Sequence, residues 1–213
     1  MRMRKAPRIG ECLSLFDDSA GPVVADASTA INLNATECAG QILEAFPRRV
    51  VIEQTVVHEL ERGRLRGRPD ADRIALLIAQ GLLEIVTLGP IGLGHFEGLI
   101  IGSAAETLDD GEAATIAYAL EAGGMPLIDE RKAHRICAER FPDLRVASTI
   151  DLLAHPSVGN ALGGGGLADA ITQALLSARM RVPAHHIEWV VGVIGSERAA
   201  ECPSLPRRVR QRP

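Results

Sequence analysis

Short apolar runs alternate with segments of helical period along this chain, and this alternation limits the fold more than any other feature of the sequence. The runs that can form buried strands are Pro22–Ala25, Arg49–Ile52, Leu83–Leu88, Pro126–Ile128 and Leu144–Ala147. Such alternation is typical of a parallel sheet covered by helices on both faces. Aromatic residues make up only 3% of the 213 residues, which argues against an aromatic-rich β-sandwich. We therefore predict a three-layer α/β/α fold with a central parallel sheet of about five strands.

Helix boundaries can be predicted at three places between these strands. Asn34 and Glu37 resemble a capping box that opens a helix running to Phe46. The segment Asp109–Gly123 begins with acids, carries an apolar stripe and ends in glycine, which predicts another helix. The Gly-rich stretch Gly89–Gly102 is interpreted as a loop that runs into a short helix.

The pattern changes along the chain, and we predict four parts. Residues 1–20 form an N-terminal segment, and residues 21–155 form the α/β domain. Residues 156–200 are predicted to be a helical C-terminal extension. Residues 201–213 are rich in Pro and Arg and are predicted to be a disordered basic tail.

The net charge of the chain is −4, but its two ends are basic. Residues 1–10 and 206–213 together hold eight Lys or Arg and no acid, so the remainder carries a net charge of −12. An acidic body attracts nucleic acid poorly. A polyanionic ligand would therefore need a local basic patch, or bound cations that reverse the sign of an acidic site.

Several functional classes are disfavoured by what the sequence lacks. Cys12, Cys38, Cys137 and Cys202 are far apart and have no zinc-site spacing, as expected for free thiols in a reducing cytoplasm. No G-x-G-x-x-G follows the first strand, and the Gly163–Gly166 run has no G-K-[ST], which disfavours dinucleotide-binding and phosphate-loop folds. No apolar run reaches the roughly 18 residues of a membrane span, and no signal peptide is recognisable. We expect a cytoplasmic protein with no membrane contact.

Acidic residues lie at the places where an open parallel sheet collects functional groups, outside the carboxyl ends of its strands. Asp26 follows the first strand directly, and Asp129 and Glu130 follow the fourth. Glu112 lies in the first turn of the helix that leads to the fourth strand, and Glu59 lies in the helix after the second. Separate segments can therefore bring carboxylates to one edge of the sheet.

Each acid also has a simpler interpretation when it is taken alone. Glu112 and its neighbour Asp110 can offset a helix dipole, and Glu59 can be a solvated helix residue. Asp26 follows a wholly apolar strand, where a buried charge is costly unless it is paired. Several carboxylates cannot share a few ångströms in ionised form unless a divalent cation neutralises them. The cluster therefore predicts a divalent-metal site.

Four motifs, in this order, resemble the PIN domain of VapC-type toxins. They are VVADASTAINL, VVIEQTVVHEL, LDDGEAATIAYAL and MPLIDERKAHRIC, and they fall within residues 22–155. The Gly-Glu-Ala opening of the third motif and the following VASTIDLLAH are similar to a PIN subgroup whose third acid is Glu. The continuation GLADAITQALLSARMRVPAHHIEWVVGVIGSE is similar to the helical tail of that subgroup.

The resemblance implies a metal site. It makes Asp26, Glu59, Glu112 and Asp129 a catalytic acidic quartet that binds Mg²⁺ or Mn²⁺, with Asp110, Glu130 and Ser28 as further candidate ligands. Asp129 and Glu130 are adjacent, so either can be the fourth acid. In the same way, either Asp110 or Glu112 can be the third acid.

The resemblance also implies an activity and partners. The activity is metal-dependent hydrolysis of RNA phosphodiester bonds, by the toxin of a toxin–antitoxin pair. The implied partners are an RNA substrate, an antitoxin protein and a second copy of the chain. The alternative is a non-catalytic PIN-like module that binds RNA or protein, and the presence of all four acids favours the enzyme.

A run of arginines follows the second acidic motif: Arg62, Arg64, Arg66, Arg68 and Arg73. The run can be a solvated loop and helix face, or a track for RNA phosphates beside the carboxylates. Both interpretations stay open, and the first four arginines are the candidate RNA-binding residues.

The six histidines give no comparable signal, because none has zinc-site spacing with a second soft ligand. His58 adjoins Glu59 but should project from a different side of the helix. His185 and His186 lie in a predicted C-terminal helix and are interpreted as surface residues.

Overall fold

The sheet of the protein consists of parallel strands. The computed structural model describes residues 15–16 and 21–211, so most of the predicted N-terminal segment 1–20 lies outside the described residues. The strands are β1 (Val23–Ala25), β2 (Val50–Glu53), β3 (Glu84–Val86) and β4 (Met125–Leu127), in the order β3-β2-β1-β4. All three pairings are parallel. The predicted α/β class with a central parallel sheet is confirmed.

The predicted fifth strand, Leu144–Ala147, makes a single bridge in the described part of the chain. The N–H of Ala147 donates to the Pro126 carbonyl at 3.0 Å, and the Ala147 carbonyl accepts from the N–H of Ile128 at 2.9 Å. The next bond of a parallel ladder would need an amide donor at Pro126, and proline has none. The pairing therefore stops, and the prediction of five strands is wrong.

Helices surround the sheet. They are α1 (Ala27–Ala35), α2 (Ala39–Ala45), α3 (Gln54–Arg64), α4 (Asp70–Ala79), α5 (Pro90–Ile100), α6 (Asp110–Ala122), α7 (Arg131–Arg140), α8 (Thr149–Leu153), α9 (Pro156–Ser177), α10 (Ile187–Ile194), α11 (Ser196–Glu201) and α12 (Arg207–Arg210). A short 3₁₀ turn, Ala184–His186, precedes α10.

Alternate residues of the strands face different helical layers, as the period of two in a strand requires. Val23 and Val50 lie in a large buried cluster with residues of α1, α2, α9 and α10. Val24 and Val51 lie in another cluster with Ala119 of α6. A third cluster joins α5, α6 and α7. The sheet is therefore the middle of three layers.

The capping box predicted at Asn34 and Glu37 does not form. α1 continues through Asn34, whose buried side chain donates to Oδ1 of Asp70 at 3.2 Å. Glu37 adopts a left-handed backbone with φ of 62° in the turn after α1. α2 begins only at Ala39. The local pattern assigns the Asn34 side chain to a helix cap. In the fold, that side chain makes a tertiary hydrogen bond instead.

The stretch Gly89–Gly102 is mainly the helix α5, whereas the sequence was interpreted as a loop that runs into a short helix. Gly92 is buried, and a Cβ atom there would stand 2.6 Å from Oε2 of Glu121 in α6. The glycine therefore permits close packing of two helices. The prediction for α6 is confirmed, because Asp109 caps its start and Gly123 ends it in a left-handed conformation.

The C-terminal helices share the largest hydrophobic cluster with the sheet. Ile171 of α9 and Val190 of α10 belong to it, as does Val209 of α12. α12 lies in the segment 201–213, for which composition predicts disorder, and Val209 is buried there. Among the described helices, none combines the length and the apolar character needed to cross a membrane.

Candidate functional site

Asp26 occupies the turn where β1 ends and α1 begins. Its Oδ1 accepts from the N–H of Thr29 at 2.7 Å, which caps α1, and its Oδ2 accepts from the Ser28 hydroxyl at 2.7 Å. The residue is only 3% exposed. A carboxylate oxygen has two lone pairs, so each oxygen can accept one more bond. The side chain is therefore held in place and still has capacity to bind a ligand.

Asp129 lies just beyond the end of β4, the strand next to β1, and is also buried. Its Oδ1 accepts from the N–H of Thr149 at 2.9 Å. Its Oδ2 accepts from the Thr149 hydroxyl and, at 2.6 Å, from Nδ2 of Asn32. Arg181 donates to the Asp129 carbonyl oxygen at 3.1 Å. Three separate segments thus fix Asp129.

Glu59 and Glu112 come from two helices that pack against each other, α3 and α6. The Glu59 carboxylate lies directly against Gly111, so the absence of a side chain there makes room for it. Glu112 lies in the first turn of α6, where its N–H donates to Oδ1 of Asp109 at 2.8 Å. Both acids are partly buried.

Burial raises the pKa values of all four acids, and the charges of neighbouring carboxylates raise those of Asp26, Glu59 and Glu112 further. Burial, followed by the charge of Asp129, raises the pKa of Asp26 to about 7. Burial, followed by the charges of Asp109 and Asp26, raises the pKa of Glu112 to about 7. Burial and Asp109 raise the pKa of Glu59, and burial raises the pKa of Asp129 in spite of its hydrogen bonds. A nearby cation would relieve this repulsion.

An open cleft of about 420 Å³ lies above these carboxylates. The described residues that line it are Asp26, Ala27, Ser28, Glu59, Asp109, Glu112, Glu130 and Lys132. Three of the four predicted acids therefore face one cleft. The fourth acid, Asp129, does not belong to this lining; of the further candidates, Ser28 and Glu130 belong to it and Asp110 does not.

A second cleft, of about 470 Å³, adjoins the first and shares Glu59 and Asp109 with it. Its described lining includes Arg62, Arg66 and Arg68. These three predicted RNA-binding residues thus lie next to the carboxylates.

Arg64 faces elsewhere. It lies 3.2 Å from Oδ1 of Asp72 and lines a separate hollow with His58 and Leu65. Arg73 donates to the Asn34 carbonyl at 3.0 Å, so it too is engaged outside the two clefts.

A scan against family models matches residues 22–194 to the DUF3368 family, which is described as a PIN domain. The chain belongs to this PIN-domain family. PIN domains are nucleases in general, so the match places the chain in a nuclease-type family. No curated protein and no solved structure shows a significant match. The assignment to a VapC-type subgroup stays a prediction.

The acids of this PIN domain suit a hard divalent cation. Mg²⁺ and Mn²⁺ prefer carboxylate oxygens, and Mg²⁺ keeps several water molecules, so it needs few direct protein ligands. Asp26, Glu59 and Glu112 present such oxygens to a cleft that solvent can enter. Asp129 lies close enough to raise the pKa of Asp26. The donor set therefore fits the cofactor that the sequence predicts.

A different group of side chains brings three potential metal ligands closest together in the described part of this PIN domain. The ligand atoms of Asp151, His185 and His186 all lie within 4.8 Å of one another. Burial would raise the pKa of Asp151, but hydrogen bonds from His186 and Ser148 outweigh it and lower that pKa. Burial and the neighbouring His186 lower the pKa of His185.

Sequence reasoning missed two features of the structure, the pair of His186 with Asp151 and the buried Glu53. His186 was expected at the surface but is buried, and its partner Asp151 is too distant in the chain for ligand spacing to reveal the pair. The S-x-x-D pattern of Ser148 and Asp151, which forms a capping box, is a signal that could have located Asp151. The other feature is Glu53, the last residue of the apolar strand β2; it is buried and caps α3 by accepting a hydrogen bond from the N–H of Thr55 at 2.6 Å.

Proposed function

We propose that this PIN domain is a Mg²⁺- or Mn²⁺-dependent endoribonuclease that hydrolyses RNA phosphodiester bonds. One observation carries the proposal: the carboxylates of Asp26, Glu59 and Glu112 face a cleft that adjoins a second cleft lined by arginines. Carboxylates that can bind a divalent cation therefore lie beside arginines that can bind phosphates. This pairing suits a polyanionic substrate that an acidic protein body would otherwise repel.

The acidic quartet Asp26, Glu59, Glu112 and Asp129 would hold the cation, with Ser28, Asp110 and Glu130 as further candidates. When bound, a divalent cation lowers the pKa of a water molecule and stabilises the charge that develops on a phosphate. No Ser, Cys or His nucleophile is needed from the protein for this chemistry.

The residues around the acids have distinct tasks in this proposal. Hydrogen bonds from Thr29 and Ser28 hold the Asp26 carboxylate in a fixed orientation, and this also fixes the direction of its remaining lone pairs. Thr149 and Asn32 do the same for Asp129. Such preorganisation reduces the free energy needed to arrange the site when the substrate binds. Arg62, Arg66 and Arg68 would bind phosphates of the RNA beside the cleft.

A cation-dependent shift in melting temperature tests the metal site. Mn²⁺ should raise the melting temperature of the wild type, because it binds only the folded state. Asp26→Asn and Glu112→Gln should lose the shift. Asp143→Asn is the matched control, because Asp143 is an exposed carboxylate that lines neither of the two clefts. Equal melting temperatures with Mn²⁺ and with chelator would reject the metal site.

Cleavage of a labelled single-stranded RNA tests the activity. Cleavage should require the divalent cation and disappear in Asp26→Asn while the variant stays folded. RNA binding without any cation-dependent cleavage would identify a non-catalytic module instead. Cleavage that survives chelation would reject the mechanism.

The resemblance to VapC-type toxins supports a narrower proposal, that the chain is the toxin of a toxin–antitoxin pair. Its partners would be an antitoxin protein and a second copy of the chain. Expression of the wild type should arrest growth of the host cell, and expression of Asp26→Asn should not. Light scattering on the purified chain measures its self-association, and a monomer at all concentrations would remove that part of the proposal.

A further inference from the structure

Asp151, His185 and His186 form a compact cluster on the side of the fold where the C-terminal helices meet α8. Nε2 of His186 lies 2.6 Å from Oδ1 of Asp151. The His185 and His186 rings lie 4.2 Å apart, centroid to centroid. Donor atoms of all three side chains fit within 4.8 Å of one another. Among the residues that the structure describes, none belongs both to this cluster and to the acidic cleft.

The surroundings of the cluster leave its three donors facing each other. Asp151 directs Oδ2 to the N–H and hydroxyl of Ser148, so Oδ1 is the oxygen that faces His186. His186 is buried, whereas His185 is exposed. Within the described residues, the His185 ring has no hydrogen-bond partner. A small ion could therefore enter from the His185 side and reach the half-buried Asp151 and the buried His186.

The chemistry of the donors differs from that of the acidic cleft. Two imidazole nitrogens and one carboxylate oxygen are ligands that suit Zn²⁺ and related transition-metal ions, whereas Mg²⁺ selects oxygen. Three protein ligands leave a fourth tetrahedral position for water. We propose that Asp151, His185 and His186 bind one Zn²⁺-class ion, with the hydrogen bond between His186 and Asp151 replaced by bonds from both residues to the metal.

The position of this site gives it a connection to the acids of the cleft. Oδ2 of Asp151 caps α8, and Thr149, the first residue of α8, donates two hydrogen bonds to Asp129. A metal ion at Oδ1 of Asp151 would join the turn before α10 to the start of α8. The ion would thereby hold in place the helix end that positions Asp129.

Zn²⁺ titration of the purified full-length chain by calorimetry tests the proposal, with Asp26→Asn as the background so that the acidic cleft does not compete. This inference does not depend on the nuclease proposal, and the background variant separates the two. We expect one Zn²⁺ per chain. His185→Gln, an exposed substitution that leaves the pair of His186 and Asp151 intact, should weaken binding by about tenfold or more. His58→Gln is the control for adventitious binding by an exposed histidine and should change nothing.

Co²⁺ provides a second readout, because the visible absorption of the ion reports its ligand geometry. A four-coordinate site should give strong bands in the background variant and weak bands after His185→Gln or Asp151→Asn. The proposal is overturned if the background variant binds no Zn²⁺, or if it binds Zn²⁺ with an affinity that neither substitution changes.

Discussion

The Glu59 carboxylate of α3 packs directly against Gly111 of α6, and a Cβ atom on residue 111 would stand 2.4 Å from Oε2 of Glu59. That separation is too short for two non-bonded atoms. Gly111 therefore keeps the Glu59 carboxylate at the cleft, although Gly111 itself has no chemistry to contribute.

Gly111→Ala should turn the Glu59 carboxylate away from the cleft while leaving the protein folded. Ala favours a helix by about 1 kcal/mol relative to Gly, so α6 itself does not suffer. We expect a smaller Mn²⁺-dependent shift in melting temperature and cleavage reduced by roughly tenfold or more. Gly94→Ala is the control, because the added methyl meets no atom of the described residues within 4 Å there. Equal effects of both substitutions would contradict the role of Gly111.

The stability of the cation-free protein should fall as pH rises from about 4 to about 7. Asp26 and Glu112 have ordinary pKa values of 3.8 and 4.5, and in the fold these rise to about 7. The folded state therefore holds protons that the unfolded state has released, and it loses this advantage as pH rises. For the buried Asp26 the effect is on the order of a few kcal/mol.

Chemical unfolding in chelator at pH 5 and pH 8 measures this dependence. Asp26→Asn should lose less stability between the two pH values than the wild type, because the amide does not ionise. Asp143→Asn should behave like the wild type, because Asp143 is exposed and lies outside both clefts. The prediction fails if Asp26→Asn and the wild type lose the same free energy of unfolding.

Thr149→Val should destabilise the protein by about 2 kcal/mol and reduce cleavage, because it removes the hydroxyl that donates to Asp129. The hydrogen bonds from Thr149 lower the pKa of Asp129, so their partial loss should raise that pKa further. Thr172→Val is a matched control: its buried hydroxyl donates to the Ala168 carbonyl at 2.7 Å, and no acid is involved. If Thr172→Val reduces cleavage as much as Thr149→Val does, the loss of cleavage reflects a general effect on packing and not the contact with Asp129.

Replacing both Arg66 and Arg68 by Ala should weaken RNA binding and flatten its dependence on salt. Two lost phosphate contacts would reduce the slope of log Kd against log salt concentration by up to about 1.4. Arg64→Ala should leave the slope nearly unchanged, because Arg64 lies outside both clefts and makes an exposed ion pair with Asp72, which contributes little. If Arg64→Ala alters the slope as much as the double variant, the second cleft is not the RNA track.

Some features of this protein could be predicted because local sequence decides them. Asp26 follows an apolar strand and precedes a helix, so its position at the sheet edge follows from chain order and parallel topology. The ends of α6 follow from an acidic cap at Asp109 and a left-handed glycine at Gly123. Both features depend on a few neighbouring residues.

Other features depend on residues that are distant in the chain, and the sequence alone did not predict them. Asn34 looks like a cap but bonds to Asp70, and His186 looks like a surface residue but pairs with Asp151. The short apolar run at 144–147 suggested a fifth strand, but a proline in the neighbouring strand limits the pairing. The direction of Arg64 depends on Asp72 in the next helix.

Pro126 has a consequence beyond the number of strands. A free sheet edge can recruit a strand from another molecule and start aggregation. On the β4 side, the chain covers the edge with its own residue Ala147, and the missing amide at Pro126 denies a further bond to any incoming strand. At Pro126 and Ala147, a second copy of the chain therefore cannot extend the sheet by the regular hydrogen bonds of a parallel ladder.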